Sequence, residues 1–330
     1  MSRLHGGKRG YLKYIAVILA IIFVGAVGLI GLELWDKQQG KFPQSDYIEA
    51  VTEFDGKEYK LKDNIETFMV LGLDKYEGES SADSYNNDRQ ADFLMLYVFD
   101  KENKSYSAIS INRDTMTEVN ILGIAGQKID TVNKQIALAH TYGNGKEVSC
   151  RNTADALSSL FMGVKIDHYI SVTMDAVPIL NDLVGGVKLE ILEDFGNIDN
   201  SLVKGEIVTL NGEQALNYVR GREGIGDGTN ASRMKRQKQY LDALTQSFAQ
   251  KHKDDSEFIA TAAAKISDYM ISDRSVTQLE EIAKRISSYS HQSVIEIEGT
   301  SKVGEEFMEF YPDKKALKKM VIDLFYQEKK

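Results

Sequence analysis

An apolar run near the N-terminus restricts the topology of this chain more than any other feature. Ile15–Leu32 contains only apolar residues and glycine, and at ~1.5 Å per residue it nearly spans the hydrocarbon core of a bilayer. Its flanks differ in charge: Arg3, Lys8, Arg9 and Lys13 precede it, and Glu33 and Asp36 follow it. The positive-inside rule therefore predicts a cytoplasmic tail at residues 1–14, a transmembrane anchor at 15–35 and an external remainder.

A cleaved signal peptide is the alternative to an uncleaved anchor. The apolar run is longer than the usual core of a signal peptide, and no small-x-small cleavage site follows it. We therefore expect a single-pass protein of the cell membrane. Its N-terminus is expected in the cytoplasm and its folded part outside the cell.

Charge and cysteine content exclude several classes of protein. The chain has 330 residues and a formal net charge of -9, whereas a protein that binds DNA or RNA over a large surface is normally basic. We therefore expect no nucleic-acid partner. Cys150 is the one cysteine, which rules out an intramolecular disulfide and a cysteine-rich metal site.

Strands and helices alternate along the middle of the chain, which favours a layered α/β fold. Residues 36–65 are polar and predict a membrane-proximal segment. Hydrophobic runs and alternation predict strands at Thr67–Leu73, Ala91–Phe99, Ser105–Ile111, His168–Thr173, Val187–Ile191 and Ser293–Ile297. Helical patterns cover Ile129–Tyr142, Ser149–Phe161, Asp175–Val184, Asn211–Tyr218 and Ala231–His252, then two stretches after Asp254 and a last helix that Asp313 caps. Asn211 is a predicted N-cap, and Gln214 completes a capping-box pattern with it.

Four arginines gather between Tyr218 and Gln237 in this acidic chain: Arg220, Arg222, Arg233 and Arg236. The first two share a face if the chain is extended there, and the last two share one face of a helix with Gln237. Several guanidinium forks that converge suit a diphosphate or polyphosphate, and a helix N-terminus adds N–H donors. A solvated basic face that pairs with Glu223 and Asp227 explains the same pattern about equally well.

Acidic residues follow or open neighbouring strands of the predicted sheet. Asp74 ends one strand, Asp92 opens the next, and Arg113 and Asp114 end the third. Ends of strands are the usual position of α/β active sites, and two carboxylates together with phosphate oxygens commonly hold magnesium. Taken singly, each aspartate is more often a turn former or a cap. The chain contains no HExxH, GxSxG or P-loop motif, and His140 is expected to be an ordinary helix residue.

A series of motifs in fixed order then resembles a known family. The motifs are Leu71–Asp74, Ala91–Leu96, Ile109–Asp114, Gly163–Tyr169, Leu183–Val187, Leu210–Arg222 and Arg233–Gln237. The stretch from Glu66 to Phe248 looks like the LytR-CpsA-Psr family of Gram-positive cell-wall proteins. The resemblance implies a mixed central β-sheet flanked by helices, in a domain at 66–252 that a C-terminal extension at 253–330 follows.

The resemblance also implies an activity and its residues. The family transfers a glycopolymer, such as teichoic acid or capsule, from a polyprenyl pyrophosphate carrier to a peptidoglycan acceptor at the membrane. Matched motifs imply that Asp74 and Asp92 hold Mg²⁺ or Mn²⁺, and that Asp227 orients arginines or assists removal of the acceptor proton. The pyrophosphate ligands are implied to be Arg89, Arg113, Arg220, Arg222, Arg233, Arg236 and Gln237, of which Arg113, Arg220 and Arg222 are also catalytic.

Two departures and two alternatives accompany this resemblance. Arg89 stands one residue out of register with the Arg-Ser-Asp-Thr of the family, and the loop from Asp227 to Arg233 is longer than the common spacing. A non-catalytic scaffold that binds polyprenyl phosphates would need the same arginines, and a lipid-carrier pyrophosphatase would use water as the acceptor. A transcription regulator is disfavoured because the predicted topology places the folded part outside the cell, away from DNA.

Overall fold

The structure is a computed structural model that describes residues 51–74, 90–123, 125–255, 257–275, 288–305 and 307–329, together with residues 278, 279, 281, 282 and 285. The described chain forms two compact units, which we name by their content. The sheet unit comprises residues 51–172, 271–274 and 289–329, and the arginine unit comprises residues 173–270 and 275–288.

Strands and helices are numbered in chain order. The strands are β1 Val51–Phe54, β2 Lys57–Leu61, β3 Ile65–Leu73, β4 Ala91–Asp100, β5 Ser105–Ile111, β6 Met116–Leu122, β7 Lys128–Gln135, β8 His168–Thr173, β9 Val187–Glu190, β10 Ile207–Leu210, β11 Met270–Ser272, β12 Ser290–Glu296, β13 Gly299–Val303, β14 Met308–Pro312 and β15 Tyr326–Glu328. The helices are α1 Glu147–Leu160, α2 Ala176–Leu183, α3 Gly212–Arg220, α4 Asn230–Asp254, α5 Phe258–Ile266 and α6 Lys314–Phe325.

A six-stranded mixed sheet forms the centre of the sheet unit, with strand order β11-β8-β3-β4-β5-β12. Neighbours β3, β4 and β5 pair antiparallel, whereas β12 lies parallel to β5. The apolar runs predicted as strands form the core, since Met69, Leu71, Leu96 and Ile109 are fully buried. The expected mixed central sheet with flanking helices is therefore confirmed.

Segments from both ends of the described chain belong to the sheet unit. The strand expected near Ser293–Ile297 is β12 at the sheet edge, and β15 pairs with β2. Asp313 caps α6 as predicted, because its carboxylate accepts a hydrogen bond from the Ala316 N–H at 2.8 Å. The C-terminal residues thus supply strands to three sheets, one of them the β13–β14 pair, while the proposed boundary between 66–252 and 253–330 stays a prediction.

The helix predicted over Ile129–Tyr142 is wrong. Lys128–Gln135 is a strand, β7, which pairs antiparallel with β6 from Met116↔Gln135 onward, and a six-residue 3-10 helix follows at Ile136–Thr141. The β-branched Thr131 and Val132 suit a paired strand, and the cross-strand partner in β6 outweighs the helical spacing of the apolar residues. His140 lies in this 3-10 helix, and its side chain is fully buried.

The arginine unit is mainly helical. The β9–β10 hairpin precedes α3, whose N-terminus carries the predicted capping box: Asn211 Oδ1 accepts from the Gln214 N–H at 2.9 Å, and Gln214 Oε1 accepts from the Asn211 N–H at 3.1 Å. Helix α4 is capped by Thr229, whose hydroxyl accepts from the Ser232 N–H at 3.2 Å. Helix α4 therefore begins one residue before the predicted Ala231 and runs to Asp254.

The predicted anchor at 15–35 and cytoplasmic tail at 1–14 lie outside the described residues, as do residues 36–50 of the membrane-proximal segment predicted at 36–65. Within the part of the chain that the structure describes, no helix combines the length and the apolar character needed to cross a membrane.

Candidate functional site

A β-bulge at the end of the central sheet carries Asp92. Leu73 pairs with Ala91 and Gly72 pairs with Phe93, so Asp92 is an extra residue in β4. A bulge of this kind bends the strand and redirects the side chain at that position. Gly72 permits the bulge, because a Cβ added to it would lie 2.8 Å from Phe93 Cβ.

Arg113 lies beside Asp92 on the neighbouring strand. Leu94 pairs with Ile111 at the end of β5, and the same antiparallel register places Arg113 opposite Asp92 two residues further on. The Arg113 guanidinium donates hydrogen bonds to the Asp92 carboxylate and to the Gln90 side-chain oxygen. The side chains of Arg113 and Asp92 are only 14% and 15% exposed. The predicted site residues Asp92 and Arg113 therefore form an ion pair where β4 begins and the neighbouring strand β5 ends.

The residue after Arg113 links this group to the C-terminal hairpin. Asp114 Oδ1 lies 3.7 Å from Arg113 Nε and accepts a hydrogen bond from Gln135 Nε2 at 3.0 Å. Gln135 Nε2 also donates to the Met308 carbonyl at 2.6 Å, and the Phe310 N–H donates to the Asp114 carbonyl at 2.8 Å. Strands β7 and β14 thus brace the segment that presents Arg113.

Asp74 and Asp92 supply the chemistry that a hard cation needs. Asp74 directly follows Leu73, the residue that pairs with Ala91, so both aspartates lie at the same end of the hairpin β3–β4. Magnesium prefers oxygen ligands and usually combines one or two carboxylates with phosphate oxygens and waters. Among the described residues, no group of three or more His, Cys, Asp or Glu residues could cage a metal alone. Two carboxylates at one strand end are the type of donor that such a metal would share with substrate oxygens.

Arg220 and Arg222 present exposed side chains on either side of Gly221 in the arginine unit. Arg220 ends α3, and residues 221–229 form a glycine-rich loop that the buried Ile225 anchors. Gly221 is closely packed, since an added Cβ would lie 2.5 Å from Ile225 Cδ1 and 2.8 Å from the Asn217 carbonyl oxygen. Two guanidinium groups therefore project from a backbone whose position is tightly determined.

Arg236 differs from these exposed arginines because its side chain is only 1% exposed. Nη1 donates to the Tyr218 carbonyl at 2.7 Å, Nη2 donates to the Gly221 carbonyl at 2.5 Å, and Nε lies 2.9 Å from Glu193 Oε2. The guanidinium also lies 5.2 Å from the centroid of the Phe195 ring. Both terminal nitrogens thus bond carbonyl groups, which gives Arg236 a positioning role for the end of α3, and its direct contact with pyrophosphate stays a prediction.

Arg233 and Gln237 lie on the same side of α4 and are 4% and 6% exposed. Arg233 Nη2 donates to Asn230 Oδ1 at 2.9 Å. Gln237 Nε2 donates to the Val219 carbonyl at 3.2 Å, whereas its buried Oε1 accepts no hydrogen bond from the described residues. A buried amide oxygen without a donor is unusual and is consistent with a group that a bound ligand completes.

Asp227 is exposed and organises the start of α4. Its Oδ1 accepts from the Thr229 N–H at 2.9 Å and from the Thr229 hydroxyl at 2.7 Å. These hydrogen bonds hold the pKa of the Asp227 carboxyl below its usual value. A carboxylate with a lowered pKa is a weaker base, so orienting the loop suits Asp227 better than removing a proton.

The structure adds three residues that the sequence reasoning did not identify. Gln90 binds Arg113, Gln135 braces Asp114, and Glu193 pairs with Arg236. No local motif marks them, because each acts on a residue more than twenty positions away in the chain. Arg89, the remaining predicted ligand, lies outside the described residues.

Comparisons with known proteins agree with the expected family. The model of the LytR_cpsA_psr family matches residues 36–325. A polyisoprenyl-teichoic acid–peptidoglycan teichoic acid transferase TagU from Bacillus licheniformis is 28% identical over 240 residues, which cover 72% of this chain and 70% of that protein. A TagU from Enterococcus faecalis is 26% identical over 278 residues, which cover 84% of this chain and 83% of that protein.

Solved structures agree in fold. The crystal structure of Bacillus subtilis TagV matches with a TM-score of 0.56 at 23% identity, over 80% of this chain and 97% of that one. A structure described as TagT bound to LIIa-WTA matches with a TM-score of 0.56 at 18% identity, over 79% of this chain and 90% of that one. At these identities the likeness supports the fold.

Proposed function

Because this chain belongs to the LytR-CpsA-Psr family, we propose that it is a glycopolymer–peptidoglycan transferase of cell-wall biogenesis. The donor is a teichoic acid, capsule or similar polymer on a polyprenyl pyrophosphate carrier, and the acceptor is a peptidoglycan hydroxyl. The names of the relatives support this assignment, since several are teichoic acid transferases that act on peptidoglycan.

The exposed pair Arg220 and Arg222 is the observation that carries the proposal. Both side chains are exposed, and the Gly221 carbonyl between them is fixed by the buried Arg236. Guanidinium forks bind phosphate oxygens in a bidentate manner and keep their charge at any physiological pH. Arg233 is proposed to contribute a further donor from the first turns of α4, with Gln237 in support through its hydrogen bond to the Val219 carbonyl.

A second set of proposed residues, Arg113 and the aspartates, lies in the sheet unit. Arg113 is proposed to bind phosphate oxygens, with Gln90 and Asp114 fixing its orientation. Asp74 and Asp92 are proposed to hold Mg²⁺ or Mn²⁺, which would neutralise charge on the pyrophosphate oxygens when bound.

The proposed reaction is a phosphoryl transfer that needs no covalent enzyme intermediate. The acceptor hydroxyl attacks the phosphorus on the glycan side of the pyrophosphate, and the P–O–P bond breaks. Polyprenyl monophosphate leaves, a glycan phosphodiester forms, and the hydroxyl proton passes to solvent or to a carboxylate. Such reactions depend on positioning and charge neutralisation, which arginines supply. The predicted anchor would keep the protein beside its lipid-linked donor.

The test compares single variants in a transfer assay. The full chain in detergent micelles is mixed with a polyprenyl-pyrophosphate glycan, a peptidoglycan oligomer and Mg²⁺, and the attached glycan is measured. Arg220→Ala and Arg222→Ala should each lower the rate roughly a hundred-fold, or ~2–4 kcal/mol, while the unfolding temperature changes little. Lys251→Ala, an exposed cation at the far end of α4, is the matched control. Near wild-type transfer by both arginine variants would refute the proposal.

A further inference from the structure

We propose that Glu193 and Arg236 are positioning residues that set how Arg220 and Arg222 meet the donor pyrophosphate. This inference rests on the proposed function, because it assigns Arg220 and Arg222 to that ligand. Neither Glu193 nor Arg236 is expected to touch the substrate. Both act through the backbone of the segment 220–222.

Arg236 holds this segment by its carbonyl groups. Its two terminal nitrogens bond the Tyr218 and Gly221 carbonyls at 2.7 and 2.5 Å, and Gln237 bonds the Val219 carbonyl at 3.2 Å. These carbonyls belong to the last turn of α3 and the residue that follows it, where helix carbonyls lack intrahelical partners. The fork of Arg236 therefore fixes the direction in which the chain leaves α3, with Arg220 before that point and Arg222 after it.

Glu193 compensates the buried charge of the Arg236 guanidinium and connects it to other segments of the arginine unit. A buried charge is costly unless it is paired, and Glu193 Oε2 lies 2.9 Å from Arg236 Nε. The other carboxylate oxygen accepts a hydrogen bond from the Ser232 hydroxyl at the start of α4. It also lies so close to Gly226 that a Cβ there would clash with it. One carboxylate thus joins α4, the glycine-rich loop and the segment after β9.

Two variants separate positioning from simple stability. Glu193→Gln keeps the shape and can still accept from Ser232, but it removes the charge that pairs with Arg236. Arg236→Lys keeps the charge but cannot bond two carbonyls with a planar fork. Both variants should let the segment 220–222 shift, so the two exposed guanidiniums should no longer match two adjacent phosphates. Glu206→Gln, an exposed carboxylate in the same unit, is the matched control.

The experiment measures the affinities of the full chain in micelles for farnesyl pyrophosphate and for farnesyl monophosphate, well below the unfolding temperature. The ratio of the two affinities is the readout, because partial unfolding lowers both affinities equally and leaves the ratio unchanged. We expect Glu193→Gln and Arg236→Lys to reduce the preference for pyrophosphate about ten-fold to a hundred-fold. Glu206→Gln should keep the wild-type ratio.

The outcomes distinguish this inference from the proposed function. A wild-type ratio in a folded Glu193→Gln or Arg236→Lys protein overturns the inference while the proposed function stands. No preference for pyrophosphate in the wild-type protein overturns both. If Glu193→Gln does not fold, Ser232→Ala removes one of the contacts of Glu193 and should lower the ratio by a smaller factor; an unchanged ratio there and in Arg236→Lys contradicts the inference.

Discussion

Gly72→Ala should disturb the bulge that presents Asp92. The added Cβ would lie 2.8 Å from Phe93 Cβ, whereas carbon atoms in contact are normally about 3.5–4.0 Å apart, so the strands must separate locally by roughly 1 Å. Phe93 cannot avoid the contact by changing rotamer, because its Cβ is fixed to the backbone. Overpacking of this kind costs about 1–3 kcal/mol in the free energy of unfolding.

Two assays follow this one substitution. The unfolding temperature should fall by about 2–4 °C for each kcal/mol lost. The transfer rate should fall by up to about a hundred-fold, which is more than the loss of folded protein accounts for. A displacement of roughly 1 Å at a reacting group has an effect of that size. The backbone of Gly72 is outside the left-handed region, so alanine adds no φ strain and the clash is the cause.

Gly196→Ala is the matched control for this prediction. A Cβ at Gly196 would meet only Asn200 Oδ1 at 3.7 Å, an ordinary contact, and the residue has no positive φ. We expect its stability and transfer rate to equal those of the wild type or to rise slightly. Wild-type stability and a wild-type transfer rate of Gly72→Ala would show that the bulge does not position Asp92.

Two further predictions concern other parts of the chain. Asn211→Ala removes the capping box of α3 and should lower the free energy of unfolding by about 1 kcal/mol in denaturant melts, and an unchanged midpoint would contradict the role of that cap. Cys150 is fully buried, and burial raises the pKa of its thiol to about 12, so the thiolate is scarce at neutral pH. The native protein should therefore resist alkylation by iodoacetamide at pH 8 while the unfolded protein reacts; rapid modification of the native protein would show that the thiol is accessible.

Local signals predicted the elements whose partners are close in sequence. The strands predicted at Thr67–Leu73, Ala91–Phe99 and Ser105–Ile111 were accessible from their apolar runs, and the structure extends the first to Ile65 and the second to Asp100. Asn211 and Asp313 were identified as caps because a cap bonds residues two or three positions away. The proximity of Asp92 and Arg113 could be anticipated for the same reason, because the ends of consecutive strands in one hairpin must lie together.

Contacts between residues far apart in the chain determine the features that the sequence did not predict. The spacing of apolar residues at 129–142 favours a helix, yet pairing with β6 makes most of that segment a strand. Spacing alone placed Arg233, Arg236 and Gln237 on one helical face, but it could not show that Arg236 is buried against carbonyls of α3. Glu193 lies 43 residues before Arg236 in the numbering, and nothing in its neighbours marks it as a partner.

Transfer and its alternatives differ in their products, so the decisive experiment counts both products of the wild-type reaction. The full chain in micelles receives a radiolabelled polyprenyl-pyrophosphate glycan, a peptidoglycan oligomer and Mg²⁺, with Asp92→Ala as the control. We predict equal amounts of polyprenyl phosphate released and glycan attached, both lost in the control. Tight binding of the donor without either product would contradict this prediction in favour of a scaffold, and release without attachment would contradict it in favour of a pyrophosphatase.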